Sequence, residues 1–256
     1  MPASTAQDLL RARLSGKRPP VLSVGLMAAN IGRLALELET IAGAGVEMVH
    51  VDVMDGRFCG PITVGPAFLR SIPGSILTDV HLLVDDPAAA LEPFLEAGAD
   101  MVTFHVEAAS QPRALLRRIG QGPRTRDHSY PVLRGVALNP STPLEFLEPL
   151  LDDLDYILLL AIDPGWPGQS FASTTGRRLE RVRRLVEDAG VHIAVGIDGG
   201  VTGKNFVAVA SLQPDVIVSG SAIFDGPDPS ANARAFLEEL TRLKSVQTRA
   251  VGGPAA

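Results

Sequence analysis

The feature that most constrains this sequence is a short strand-like segment followed by a helical pattern, repeated eight times along the chain. The strand-like segments are rich in valine, isoleucine and leucine and lie at residues 21–27, 46–54, 76–83, 101–105, 134–138, 156–162, 192–197 and 216–219. Apolar runs of this kind are typical of parallel strands that are buried on both faces. The helical patterns lie at residues 31–42, 67–72, 87–97, 111–119, 143–151, 175–189, 204–212 and 229–243.

This alternation predicts a single α/β domain with the (β/α)8 fold, the TIM barrel. The length of 256 residues matches the usual size of such a barrel, about 250 residues. An open doubly wound sheet is the main alternative, but it usually has fewer strands, and the first strand here lacks a G-x-G-x-x-G turn. We expect an N-terminal extension at 1–20, the barrel at 21–245, a surface insertion near 121–131 and a flexible tail at 246–256.

Composition excludes several classes of protein. The net charge of −6 disfavours nucleic-acid binding, which requires a basic surface. The single cysteine, Cys59, excludes an internal disulfide and a cysteine-based zinc site. With no visible secretory signal and no apolar run long enough for a membrane span, we expect a cytoplasmic protein without nucleic-acid or membrane partners.

Polar side chains lie near the carboxyl ends of three predicted strands, where barrels of this type carry their active sites. His50, Asp52 and Met54 share one face of the second strand, because side chains alternate along a strand. His81 lies on the third strand and Asp198 ends the seventh. Two imidazoles and two carboxylates are a ligand set for one divalent metal ion, such as zinc, iron, manganese or cobalt. Alternatively, these residues are unrelated, and each serves its own backbone or turn.

Glycine-rich turns follow the last three predicted strands. Their residues are Gly165 and Gly168 after the sixth strand, Gly199 and Gly200 after the seventh, and Gly220 and Ser221 after the eighth. Backbone N–H groups in these loops often bind phosphate in barrels, and glycine lets the main chain approach the anion. The turns therefore predict a phosphate site, while tight turns also need glycine for their own geometry.

The other histidines are weaker candidates. His105 ends the fourth predicted strand, where it would either line the barrel mouth or form structural hydrogen bonds. His192 begins a strand, at the end of a barrel that usually serves stability rather than chemistry. His128 lies in the predicted insertion, where we expect it to be solvated.

Taken together, these segments resemble the ribulose-phosphate 3-epimerase family. The resemblance covers roughly residues 21–226 and is carried by residues 50–56, 79–82, 138–140, 163–165, 168–171, 198–201 and 219–222. It implies an isomerase of the pentose phosphate pathway that epimerises C3 of a ketose phosphate, D-ribulose 5-phosphate to D-xylulose 5-phosphate, through a cis-enediolate. It also implies that His50, Asp52, His81 and Asp198 bind the metal, with Asp52 as base and Asp198 as acid.

The resemblance further implies how the substrate is held. Phosphate and substrate contacts are expected from His81, Gly165, Gly168, Gly199, Gly200, Gly220 and Ser221, and a substrate-site wall from Gly25, Met54 and Asn139. The sequence departs from the family pattern at this wall. Gly25 stands where the family has serine, and Pro167 stands where it has glycine, which removes an N–H donor. D-Allulose 6-phosphate, another ketose phosphate or a free ketose therefore remains an alternative substrate.

Two other functions fit the sequence less well. A decarboxylase of the same superfamily would have Asp-x-Lys-x-x-Asp on the second strand, where Met54 occupies the lysine position. A non-catalytic sensor of sugar phosphates would have no need of paired carboxylates. Barrels of this type often form homo-oligomers, which we also expect here, although no stripe in the sequence identifies an interface.

Overall fold

The computed structural model describes residues 19–122, 131–165 and 168–251. Almost all of the predicted extension at 1–20 and insertion near 121–131 lies outside the described residues, as do His128 and Pro167. The last helix extends to Val251, further than the helical pattern over 229–243, because the sequence has no glycine or proline between Pro229 and Gly252.

Within the described residues, eight parallel strands close into a barrel in chain order, and the first pairs with the last. The predicted TIM barrel is therefore confirmed. The strands are β1 (Val21–Gly25), β2 (Met48–Met54), β3 (Leu77–Leu83), β4 (Met101–His105), β5 (Leu133–Leu138), β6 (Tyr156–Leu160), β7 (Ala194–Asp198) and β8 (Val216–Ser219).

Helices surround the barrel wall. The α-helices are α1 (Leu34–Gly43), α2 (Pro66–Arg70), α3 (Pro87–Glu96), α4 (Pro112–Gln121), α5 (Thr175–Asp188), α6 (Phe206–Ser211), α7 (Ser221–Phe224) and α8 (Pro229–Val251). Four of them begin with proline, whose fixed φ suits the first helical position. None of the helices in the described ranges is long and apolar enough to cross a membrane.

The segment between β5 and β6 forms a 3-10 helix, Leu144–Asp153, and not the α-helix that the pattern over 143–151 predicts. Pro149 lies inside this helix, and its ring nitrogen has no hydrogen to donate to the preceding turn. The helix still buries Leu147 and Leu150 against the core. The apolar spacing therefore identified the buried face but not the type of helix.

The apolar core has two parts, one on each side of the strand wall. The outer part fills the space between strands and helices, with residues such as Val51, Leu82 and Phe104. The inner part, with residues such as Met48 and Leu133, fills the barrel mostly where the strands begin. Because alternate residues of each strand point inward, the polar residues further along the strands lie above this apolar floor.

Candidate metal centre

The four predicted ligand residues meet at the carboxyl end of the barrel. His50 and Asp52 belong to β2, His81 belongs to β3, and Asp198 is the last residue of β7. Each residue offers one ligand atom, and these four atoms all lie within 4.8 Å of one another. The reading of these residues as unrelated is therefore wrong, since the fold brings all four to one place.

Strand register explains why the residues of β2 and β3 converge. Asp52 is paired with His81, and His50 is paired with Asp79. Side chains at paired positions of neighbouring parallel strands point to the same face. The period of two along each strand then places all four of these side chains inside the barrel.

The interatomic distances suit a single cation. Nε2 of His50 lies 3.2 Å from Oδ1 of Asp52 and 3.2 Å from Nδ1 of His81. Nδ1 of His81 lies 3.1 Å from Oδ1 of Asp52. Oδ2 of Asp198 lies 3.8 Å from Nε2 of His50 and 4.0 Å from Nδ1 of His81. Ligands about 2.0–2.2 Å from a tetrahedral zinc ion are roughly 3.4 Å apart, so the donor set fits such an ion.

The charge and exposure of the cluster also suit a divalent cation with one open side. Both imidazoles are fully buried, whereas the side chains of Asp52 and Asp198 are 21% and 17% exposed. Two neutral imidazoles and two ionised carboxylates balance a charge of 2+. The carboxylates face the mouth, where a substrate would enter.

A third carboxylate supports His50 from inside the barrel. Oδ2 of Asp79 lies 2.7 Å from Nδ1 of His50, and both side chains are fully buried. The hydroxyl of Thr103 donates to Oδ1 of Asp79 over 3.3 Å. Burial alone would lower the pKa of His50, but the charges of Asp79 and Asp52 raise it well above its ordinary value. Sequence analysis missed this role of Asp79, although its spacing of two from His81 places both on one face.

The two aspartates of the cluster have opposite pKa shifts. Burial alone would raise the pKa of Asp52, but the charge and hydrogen bond of His50 and the hydrogen bond of His81 lower it far below its ordinary value. For Asp198, burial raises the pKa, and the negative charge of Asp52 raises it further. The two imidazoles lower it, but the net shift is upward. Paired carboxyl groups with separated pKa values are typical of acid–base catalysis.

A second buried chain of polar groups lies behind His81. Nε2 of His81 is 3.0 Å from Nε2 of His105, and Nδ1 of His105 is 3.1 Å from Oε2 of Glu107. Oε1 of Glu107 accepts hydrogen bonds from the backbone N–H of Asn139, over 2.8 Å, and from the hydroxyl of Thr142. His105 thus forms hydrogen bonds behind the cluster, and Glu107 is a residue that sequence analysis missed.

The glycines of the predicted phosphate site surround the same rim. Four of them have a positive φ: Gly165 (86°), Gly168 (77°), Gly199 (96°) and Gly200 (68°). A Cβ atom at Gly199 would lie 2.4 Å from Cγ1 of Ile162, and one at Gly220 would lie 2.9 Å from the carbonyl oxygen of Gly25. These positions need glycine for local packing, so phosphate binding there stays a prediction.

The predicted wall residues lie at strand ends around the mouth. Gly25 ends β1, Met54 ends β2, and Asn139 directly follows β5. Oδ1 of Asn139 is buried and has no hydrogen-bond partner among the described residues. Arg178 of α5 fixes this segment by donating to the backbone oxygens of Asn139, over 3.1 Å, and Thr142, over 2.8 Å.

Fold and site together define a class of protein: a (β/α)8 barrel whose carboxyl rim carries two histidines and two aspartates fit for a divalent cation. Comparison with known proteins gives the family. The model of the ribulose-phosphate 3-epimerase family matches residues 21–224. The chain belongs to this family and is a ribulose-phosphate 3-epimerase-like isomerase, as its resemblance predicted.

Relatives match over most of their length. The ribulose-phosphate 3-epimerase of Escherichia coli K12 is 36% identical over 226 residues, which cover 87% of this chain and 97% of that protein. A Synechocystis enzyme of the same name is 36% identical, over 81% of this chain and 89% of its own. The chloroplastic ribulose-5-phosphate-3-epimerase of Arabidopsis thaliana is 35% identical, over 81% of this chain and 73% of its own.

Among solved structures, similarity extends to barrels with other names. KGPDC from Streptococcus mutans superposes with a TM-score of 0.60 at 17% identity, covering 88% of this chain and 99% of that one. Orotidine 5'-phosphate decarboxylase from Pyrococcus horikoshii gives a TM-score of 0.59 at 15% identity, covering 86% and 99%. At these identities the similarity concerns the fold alone.

Proposed function

We propose that the protein epimerises C3 of a ketose phosphate, with D-ribulose 5-phosphate and D-xylulose 5-phosphate as the substrate pair. The observation that carries this proposal is the convergence of His50, Asp52, His81 and Asp198 within 4.8 Å at the barrel mouth. The family supports the reaction, since its substrates are sugar phosphates. A relative that is 36% identical to this chain bears the name of this epimerase.

The proposed cofactor is one divalent metal ion held by the four residues of the cluster. Such an ion supplies a Lewis acid that polarises the ketone and makes the neighbouring C3 proton more acidic. Zinc, iron, manganese and cobalt all accept imidazole and carboxylate ligands, so the donor set does not select among them. The buried imidazoles fix one side of the site, and the partly exposed carboxylates face the substrate.

Inversion at C3 requires that a proton leave one face of the carbon and another arrive at the opposite face. We assign the first step to Asp52, whose lowered pKa keeps it ionised and able to accept a proton. We assign the second to Asp198, the carboxyl group that β7 adds to the cluster, since burial raises its pKa above its ordinary value, the direction expected of a proton donor. In the reverse reaction the two residues exchange roles, and the substrate passes through the same cis-enediolate.

The phosphate group is proposed to lie over the ends of β7 and β8. Backbone N–H groups of Gly199, Gly200, Gly220 and Ser221 would hold it, and Gly165, Gly168 and His81 would complete the substrate contacts. The turn at Gly199 and Gly200, both with positive φ, supports this, because successive N–H groups in turns can form a concavity that binds anions. In the wall of Gly25, Met54 and Asn139, the unpaired Oδ1 of Asn139 is suited to accept a hydrogen bond from a substrate hydroxyl.

The test is an epimerisation screen with metal-free protein reconstituted with Zn²⁺, Fe²⁺, Mn²⁺ or Co²⁺. Substrates are ribulose 5-phosphate, allulose 6-phosphate, a tetrulose phosphate and the corresponding free sugars, with solvent deuterium at C3 as the readout. We expect metal-dependent exchange that is fastest with ribulose 5-phosphate. Faster exchange with allulose 6-phosphate or a free ketose would reassign the substrate, and tight sugar-phosphate binding without exchange would identify a sensor.

The organisation and location of the protein remain proposals. We propose a cytoplasmic homo-oligomer in which the barrel at 21–245 carries the activity, with the extension at 1–20, the insertion near 121–131 and the tail at 246–256 outside the catalytic site. The cluster supports the assignment of the activity to the barrel, because all four of its residues lie on barrel strands. Sedimentation of the purified chain would measure its oligomeric state.

A further inference from the structure

The hydrogen-bond chain behind His81 ends in a carboxylate that the metal cluster itself does not use. His81 and His105 are fully buried, and the side chain of Glu107 is 23% exposed. We propose that Glu107, acting through His105, is a positioning residue that keeps Nδ1 of His81 free of a proton and turned toward the cation site. This inference rests on the proposed function, since it takes His81 as a metal ligand.

The direction of each hydrogen bond follows from the carboxylate end. Burial would raise the pKa of Glu107, but the hydrogen bonds from His105, Thr142 and the Asn139 N–H lower it to about 2. Glu107 is therefore ionised at neutral pH and can only accept, so Nδ1 of His105 must donate to Oε2.

The remaining bonds are then determined. With His105 in its neutral form, whose imidazole has one N–H group and one accepting nitrogen, Nε2 of His105 accepts. The partner of this nitrogen, 3.0 Å away, is Nε2 of His81, which must therefore carry its proton. The accepting nitrogen of His81 is then Nδ1, the atom that lies 3.2 Å from Nε2 of His50 and faces the cluster.

His50 is also oriented by a hydrogen bond at the ring nitrogen that does not face the cation site, but here that nitrogen is Nδ1. Its Nδ1 is held by the carboxylate of Asp79, which leaves Nε2 as the ligand atom. Both candidate ligand imidazoles are thus oriented by a carboxylate, one directly and one through a second imidazole. Carboxylate partners of ligand histidines commonly fix the tautomer and contribute roughly 10- to 100-fold to metal affinity.

Glu107→Gln is the informative substitution because it reverses the direction of each hydrogen bond between residue 107, His105 and His81. The backbone N–H of Asn139 requires an acceptor, so the amide oxygen of the new side chain must replace Oε1. Its NH2 group then faces Nδ1 of His105, which must accept. His105 would carry its proton on Nε2 and donate to His81, and His81 would be left with its proton on Nδ1, the ligand atom.

The experiment measures tautomers and metal affinity in the same variants. Histidine tautomers are read from long-range ¹H–¹⁵N spectra of the metal-free protein, and the Kd for Co²⁺ is measured by calorimetry. The matched control is Glu145→Gln, which removes the same charge from an exposed residue paired with Arg181. His105→Gln keeps a donor toward Glu107 and an acceptor toward His81, whereas His105→Leu removes both; this pair tests the chain if Glu107→Gln does not fold.

We expect Glu107→Gln to move the His81 proton from Nε2 to Nδ1 and to weaken Co²⁺ binding roughly 10- to 100-fold. His105→Leu should weaken binding similarly, and His105→Gln should bind Co²⁺ more tightly than His105→Leu. Glu145→Gln should leave binding within about threefold of wild type, on the scale of ordinary surface changes. Unchanged tautomers in Glu107→Gln, or changed tautomers with unchanged affinity, would overturn the proposal. If the wild-type protein binds no Co²⁺, the proposed function fails, while the tautomers still confirm or overturn the hydrogen-bond chain.

Discussion

Asp52 and Asp198 carry the same functional group, yet their surroundings lower the pKa of one and raise that of the other. This difference allows their roles to be separated. In Asp198→Asn we expect epimerisation to fall roughly 10²- to 10⁴-fold, because one face of C3 has lost its proton-transfer group. Asp52 should still remove the C3 proton of one epimer, so that epimer should exchange with solvent deuterium without inverting.

Asp52→Asn should produce the complementary pattern, with exchange confined to the other epimer. NMR of each epimer in D2O measures both effects, and bound metal is quantified in each variant because both residues are candidate ligands. Asp188→Asn, on the exposed end of α5, is the control for loss of a carboxylate. Equal exchange of both epimers in either variant would contradict the assignment of two separate groups.

Glu107 also makes a prediction about pH. The pKa of its carboxyl group falls from an ordinary 4.5 to about 2 in the folded protein, where burial is outweighed by hydrogen bonds from His105, Thr142 and Asn139. A lowered folded-state pKa adds stability above the unfolded value and loses it as pH falls through the folded value. We therefore expect the difference in free energy of unfolding between wild type and Glu107→Gln to shrink from pH 6 toward about pH 3.

Urea unfolding at a series of pH values measures this difference. Glu145→Gln is again the control, since its carboxylate is exposed and should show little change with pH in the same comparison. A difference that stays constant below pH 4.5 would show that Glu107 is not held ionised by these contacts.

At the scale of elements, β6 and β7 fit together only because one residue has no side chain. A Cβ atom at Gly196 would lie 1.9 Å from the hydroxyl oxygen of Tyr156, a fully buried residue. We expect Gly196→Ala to destabilise the protein by about 1–3 kcal/mol, the usual cost of overpacking a core. Tyr156→Phe should recover part of this loss, because it removes the clashing hydroxyl, which has no hydrogen-bond partner among the described residues.

Thermal or urea unfolding of the single and double variants measures the coupling between the two positions. Gly43→Ala in α1 is the control, because no heavy atom lies within 4 Å of its added Cβ. It should be neutral or stabilising, by about 0.4–1 kcal/mol at most. Additive effects of Gly196→Ala and Tyr156→Phe would contradict a direct clash.

Elements also show what the sequence can and cannot predict. The alternation of side chains between the two faces of a strand is a local pattern, so the sequence alone predicts that His50 and Asp52 share one face of β2. The pairing of His50 with Asp79 depends on the register between strands, which no local pattern records. The contact of Glu107 with Asn139 joins residues 32 positions apart, one just after β4 and the other just after β5. Asp198 could be grouped with the residues of β2 because β7 ends at the same rim of a closed barrel, although no local pattern gives the distance between them.

At the scale of the whole molecule, the cluster connects β2, β3 and β7, so a cation bound there would link distant parts of the barrel. A ligand that binds only the folded protein stabilises it, by about 2.7 kcal/mol when present at 100 times its Kd. For a chain of this size each kcal/mol raises Tm by about 2–4 °C. We therefore expect Zn²⁺ or Co²⁺ at that excess to raise Tm by roughly 5–10 °C over metal-free protein.

Calorimetry of metal-free and reconstituted protein measures the shift, and EDTA should reverse it. In His81→Gln the shift should nearly disappear, because one buried ligand is lost while the barrel core stays in place. The matched control is His192→Gln, an exposed histidine just before β7 and outside the cluster, which should keep the full shift. An equal shift in both variants would mean that the metal binds elsewhere, because His81 contributes an atom to the cluster and His192 does not.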